Sequence, residues 1–161
     1  MTRRTVLTAL PLSLAGITLM GDDQENGPRP PKKDIPFIKH ADHLVETESQ
    51  NAAQSKSKGG LVFSVPGATS TARTPLPEPI FLFVQDKIRA DQLQLFHFTV
   101  QNGMRQVLAK QKDDDDDKVY HISLRQLQGD LYRLDASESL DPGEYCLSPV
   151  GLNLAFCFTV F

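Results

Sequence analysis

GEYCLSPVGLNLAFCFTVF, residues 143–161, decides the fold. It holds two runs rich in β-branched and aromatic residues, separated by a short stretch containing Gly, the pattern of two strands and a turn. A turn centred on Gly151 and Leu152 pairs the runs antiparallel. Tyr145 then lies opposite Phe158, and Leu147 opposite Phe156. Side chains alternate across a strand, so these four share one face, which is an apolar core face. Cys146 and Cys157 fall opposite each other on the reverse face. Cross-strand neighbours have Cα atoms about 4.5–5.5 Å apart, within bridging range. An oxidising compartment would favour a disulfide there. The string LAFCFTVF is apolar on both faces, so it also accommodates two buried thiols.

The same texture extends back to residue 61. Strands are expected near 61–65, 80–85, 94–101, 104–110, 119–124, 130–135, 144–148 and 155–161. Asn102-Gly103 is the strongest two-residue hairpin signal, because both central residues of a type I′ turn need positive φ. It sets Phe98 opposite Val107 and Phe96 opposite Ala109, four residues expected to point to the core. Between the first two strands, VPGATSTARTPLPEP carries four prolines and reads as a loop or an irregular edge.

Upstream of residue 60 the reading changes. Arg3 and Arg4 precede a mostly apolar run from Val6 to Met20, too short for a comfortable membrane span of about 20 residues. Residues 1–21 therefore read as a signal peptide, with no transmembrane span in the mature chain. The stretch from Thr2 to Leu7 resembles the twin-arginine export motif, so both that route and the general secretory route are open. Either leads to the periplasm or the cell exterior. Residues 22–59 read as a flexible linker, rich in Pro, Gly and polar residues at both ends. Within it, Ile35, Ile38, Ala41, Leu44 and Val45 recur at helical spacing, which predicts one short amphipathic helix near 36–50, with Asp34 as a cap. Residues 60–161 form the expected domain.

Leu140, Pro142, Gly143 and Tyr145 lie in LDPGEY: a Leu, a Pro–Gly turn and a Tyr leading into a strand. This resembles the tyrosine corner of immunoglobulin-like and fibronectin type III sandwiches. The resemblance implies an all-β, antiparallel β-sandwich of seven or eight strands, with the Tyr145 hydroxyl bonded to upstream backbone. The antibody disulfide joins the two sheets, whereas Cys146 and Cys157 fall on adjacent strands. The resemblance therefore bears on architecture and not on immunoglobulin function. The set VPG, RTPL, PGEY-x-L and a terminal FCF-x-V also resembles exported bacterial proteins of unassigned function, which implies fold and export only.

The net charge is -3, and the aspartate run contributes -5 of it. The remainder is near neutral, so no field points to nucleic acid. In that run, Asp113 to Asp117, neighbours point to opposite sides of an extended chain. Asp113, Asp115 and Asp117 alone could share an ion, unlike the spaced ligands of a calcium loop. Non-specific calcium attraction is the expected limit, and no dedicated cofactor is implied. The run also matches DDDDK, the enteropeptidase target. The bland reading is a charged hairpin tip between two strands. His40 and His43, with Asp42, Glu46 and Glu48, form a second cluster, where His at i and i+3 of a helix could share a metal but lack a third soft ligand. No nucleophile elbow, Ser/His/Asp order or phosphate loop is visible. These features favour a non-catalytic binding or structural module of the bacterial envelope, with another envelope protein as partner and the ligand unknown. The competing class is a small hydrolase or metal-dependent enzyme on the same scaffold.

Replacing Asp113–Asp117 with Ser and Gly should change stability by less than about 0.5 kcal/mol, as for other solvated surface positions. Thermal unfolding in calcium and in chelator checks this, and a midpoint that falls in chelator only for the natural chain would restore a calcium role.

Overall fold

A computed structural model describes residues 27–110 and 119–161. The expected signal peptide and the aspartate run lie outside the described residues. Fourteen strands are described, and no α-helix. They are β1 (Phe37–His40), β2 (His43–Glu46), β3 (Glu48–Asn51), β4 (Ala53–Ser57), β5 (Gly60–Pro66), β6 (Arg73–Thr74) and β7 (Ile80–Val84). There follow β8 (Leu93–Gln101), β9 (Met104–Lys110), β10 (Val119–Tyr120), β11 (Ile122–Gln128), β12 (Leu131–Ala136), β13 (Gly143–Pro149) and β14 (Leu154–Val160).

The expected helix near 36–50 is replaced by β1, β2 and part of β3. Ile38 pairs with Val45 across a β1–β2 hairpin. Seven residues apart, they imitate two helical turns, yet they meet by folding back at Ala41, whose φ is 34°. Asp34 caps no helix. Its carboxylate accepts the backbone N–H groups of Asp86, Lys87 and Ile88. The expected linker at 51–59 is likewise strand for most of its length, and β4 pairs with β5 over five residues. Sheet pairing therefore begins at residue 37.

Two sheets form. One has five strands in the order β11-β12-β7-β1-β2. The other runs β3-β14-β13-β8-β9-β5-β4, with β10 beside β8 and β6 beside β14. Pairing is antiparallel throughout except for β6 with β14. The sheets pack face to face in the manner of a β-sandwich, over Ile38, Phe81, Phe83 and Leu134 on one side and Leu95, Tyr145, Leu147, Phe156 and Phe158 on the other. Burying each large side chain is worth about 1.5–3 kcal/mol. Phe81 meets Phe158 edge-on at 5.1 Å, and Phe158 stacks on Tyr145 at 5.8 Å. Tyr145 donates its hydroxyl to the Asp141 carbonyl at 2.8 Å, beside buried Leu140.

The larger sheet closes on itself. Its two end strands, β3 and β4, are one stretch of chain interrupted only at Ala52, and antiparallel pairing around the order gives both the same direction. The Ala52 N–H donates to the Asn153 carbonyl at 2.7 Å, so the interruption is itself tied to the β13–β14 turn. The result is a six-stranded ring with its own interior cluster of Val65, Phe98, Val107, Cys146, Ala155 and Cys157. The expected pairings of Phe98 with Val107 and of Phe96 with Ala109 both fail for this reason. The β8–β9 ladder runs only to Thr99 with Gln106. Beyond it β9 follows β5, and Phe96 pairs instead with Val119 of β10. Nor are the strands flanking the aspartate run hairpin partners, since β9 and β10 occupy successive parts of one edge of β8.

Tyr145 pairs with Phe158, Cys146 with Cys157 and Leu147 with Phe156. The Cys146 and Cys157 sulfurs lie at disulfide distance. The intact protein should weigh two hydrogens less than the dithiol form under non-reducing conditions. Reduction should lower stability by about 3 kcal/mol or less, as for a short closed loop; an unchanged mass on reduction would mean free thiols.

Candidate functional site

Reading inward-facing residues along each ring strand shows a gradient from charged to apolar. Along β13 they are Glu144, Cys146 and Ser148, and along β14 Thr159, Cys157 and Ala155. Along β9 they are Arg105, Val107 and Ala109. Two-residue spacing puts each set on one side of its strand. One end of the ring is therefore polar and the other apolar.

The polar end is sealed. Arg105 is fully buried, and its guanidinium faces the Glu48 carboxylate at 2.8 Å. Its remaining donors go to the carbonyls of Pro66 at 2.7 Å and Gly67 at 3.0 Å. Glu48 also accepts from the Thr71 N–H and the Gln50 amide. Buried Glu144 accepts from the Thr159 hydroxyl and the Ser70 N–H. The segment 66–71, expected from its sequence as a loop or an irregular edge, thus laps over this end and is held by Arg105, Glu48 and Glu144 through four of its backbone groups. Burial by itself would raise the Glu48 carboxyl. The hydrogen bonds from Arg105, Ser70, Thr71 and Gln50 outweigh it and bring it from 4.5 down to about 2. A buried charge needs such pairing, because unpaired it would lose its hydration without replacement.

The other end opens into a cavity of about 220 Å³. Its walls are Phe63, Phe96, Phe98, Val107, Ala109 and Ala155. It exists because β8 and β9 part after Thr99, leaving Phe96 and Phe98 facing Val107 and Ala109 across a gap rather than across a ladder. At the mouth stand Gln94, Ser148 and the β13–β14 turn, whose Val150 and Leu152 are 57% and 52% exposed. The Ser148 hydroxyl donates to the Leu154 carbonyl at 2.7 Å. Among the described residues, none that lines the cavity carries an ionisable side chain.

The other sequence candidates lie elsewhere. His40 and His43 end β1 and begin β2, paired across the hairpin turn with ring centres 5.3 Å apart, rather than one helical turn apart. His40 Nε2 is 3.0 Å from the Thr74 hydroxyl, and His43 Nδ1 is 3.2 Å from Asp42. Burial and the neighbouring His43 lower the His40 pKa. Among the described residues no group of three or more His, Cys, Asp or Glu side chains could hold a metal. Glu46 is taken by Lys32, and Glu48 by Arg105. Asp113, Asp115 and Asp117 lie outside the described residues. The cavity was not anticipated from the sequence, since its walls come from four strands, β5, β8, β9 and β14.

No protein-family model matches this chain, and no curated protein or solved structure is detectably similar to it.

Replacing Glu48 with Gln should destabilise the protein by about 3 kcal/mol at pH 7, because Arg105 is left buried without its counter-charge. A carboxyl depressed from 4.5 to about 2 in the folded state stabilises fully above 4.5 and loses that contribution as pH falls toward 2. Urea unfolding of both proteins from pH 7 to pH 2 should show the gap closing over that window; a constant gap would mean that the charge plays no part.

Proposed function

We propose that the protein is a non-catalytic, exported binding module of the bacterial envelope, and that it binds at the open end of the ring. The observation that carries this reading is the composition of the cavity. Acid–base and nucleophilic catalysis both need a titratable or activated group at the reacting atoms. The walls offer rings and methyl groups, and the single hydroxyl there, on Ser148, has its proton engaged by backbone. Such a site binds without transforming. Two exposed apolar side chains at its rim, Val150 and Leu152, favour contact with something apolar.

Export draws support from Arg3, Arg4 and the apolar run behind them, and from a cysteine pair at disulfide distance, which suits an oxidising compartment. The immunoglobulin-like reading of the sandwich draws support from the corner at Leu140, Pro142, Gly143 and Tyr145, where the hydroxyl reaches the Asp141 carbonyl. The closed ring of six strands stands outside that pattern. Another envelope protein is the expected partner, with the ring mouth as the contact.

Fusing residues 1–26 to a reporter enzyme that is active only after export should give activity, and replacing Arg3 and Arg4 with Lys separates the two routes. The purified protein should leave ester and phosphoester substrates unchanged. A turnover that vanishes when a cavity residue is substituted would overturn the non-catalytic reading.

A further inference from the structure

Building on the proposed binding function, the geometry points to the class of ligand: a small, uncharged, mostly apolar molecule with one hydrogen-bonding end. Its size is that of a substituted benzene or a short acyl chain, held inside the ring between Phe96, Phe98, Phe63 and Val107.

Three constraints converge on this class. Size comes first. An apolar cavity of about 150 Å³ holds benzene. The present one, at about 220 Å³, admits a ring with one or two substituents. Long chains are stopped by the floor. The Cys146–Cys157 pair, beside Phe96, and buried Val65, beside Arg105, fill the ring beyond the cavity, and the Arg105–Glu48 pair seals the polar end. Nothing can thread through.

Charge comes second. Among the described residues, no lining side chain carries a charge to meet one on the ligand. A carboxylate or ammonium drawn in from water would lose its hydration with no counter-charge among the described lining residues. Arg105, the nearest buried cation along β9, is spent on Glu48 and two carbonyls.

Polarity comes third. The hydrogen-bonding side chains of the lining are Gln94 and Ser148, next to each other on paired strands at the mouth. Gln94 offers both a donor and an acceptor. Ser148 donates to Leu154 and keeps acceptor capacity. The ligand therefore enters apolar end first, past Val150 and Leu152, and leaves its hydroxyl, carbonyl or amide at Gln94.

Toluene, p-cresol and benzoate form a probe set of one size that differs in polarity and charge. Binding is read from the NMR shifts of the Ala52, Ala109 and Ala155 methyl groups, and from thermal midpoints. Toluene and p-cresol should saturate those methyl shifts, and benzoate should not. Gln94→Ala should weaken p-cresol on the order of tenfold, the loss of one hydrogen bond, and leave toluene unchanged. Ala109→Phe, which fills the space, should abolish both; Ala155→Leu serves if Ala109→Phe fails to fold. Benzoate binding as tightly as p-cresol, with Ala109→Phe blocking both, would overturn the ligand class and leave the cavity as the binding site. Probes that move none of the three methyl groups, together with an Ala109→Phe protein that is only more stable, would make the cavity a packing gap and overturn the binding site as well.

Discussion

Strands β13 and β14 have no solvent face along most of their length, and the remaining architecture answers that constraint. Tyr145 and Leu147 point into the space between the sheets, while Cys146 between them points the other way, and all three are fully buried. On β14, Phe156 and Phe158 alternate with Cys157 in the same manner. A sheet apolar on both faces must be covered twice. The five-stranded sheet covers one face, as in an ordinary sandwich. The other is covered by the sheet's own continuation, since β9, β5 and β4 curl over it until the chain at Ala52 meets the turn at Asn153. Closure also removes two free edges that would otherwise expose unpaired backbone.

Closing a ring creates an interior, and its two ends are managed by opposite means. At one end a salt bridge, two carbonyls and the 66–71 segment fill the space with polar groups whose hydrogen-bonding capacity is largely used. Replacing such a pair by apolar residues is often neutral or stabilising, so its value here is weak as a stability argument. What the pair does provide is directional. Arg105 reaches Pro66, Gly67 and Glu48 together, which fixes the 66–71 segment against β3 and β9. The end it closes cannot serve as an entrance.

Local pairings were legible in the sequence. The register of β13 with β14 follows from alternation around one turn, and the Asn102-Gly103 hairpin from the demand for positive φ, which the structure meets with 51° and 71°. Seven of the eight strands read from residue 61 onward occur with ends displaced by a few residues, while the one expected at 119–124 breaks at His121 into β10 and β11, which join different sheets. The strands before residue 60 were not legible because they are short and mostly polar; β4 reads AQSKS and is exposed throughout. β4 folds straight back on Gly60–Pro66 through the two residues after Ser57, but β3 depends on a partner far along the chain, Leu154–Cys157. Phe96 and Phe98 were legible as inward residues, but the second interior they enter is a product of closure and has no sequence pattern of its own. Glu48 stood out only as one carboxylate near two histidines. Its partner Arg105 lies 57 positions away, a separation that only the strand order bridges.

The open end shows where packing was left incomplete. Ala52, Ala109 and Ala155 stand at the cavity wall, where larger side chains would reach across. Unfilled apolar space destabilises by roughly 24 cal/mol per Å³, so leaving about 220 Å³ empty costs at most about 5 kcal/mol against a filled ring. The true figure is smaller, because the space opens to water at Val150 and Leu152. It is still comparable with the net stability of a small domain. The rest of the interior shows no such economy: Val65 and the cysteine pair pack to full burial. Small residues confined to one end of an otherwise filled ring, beneath two exposed apolar side chains, are what a site for an apolar guest requires, and a ring serving only as scaffold would gain by filling them.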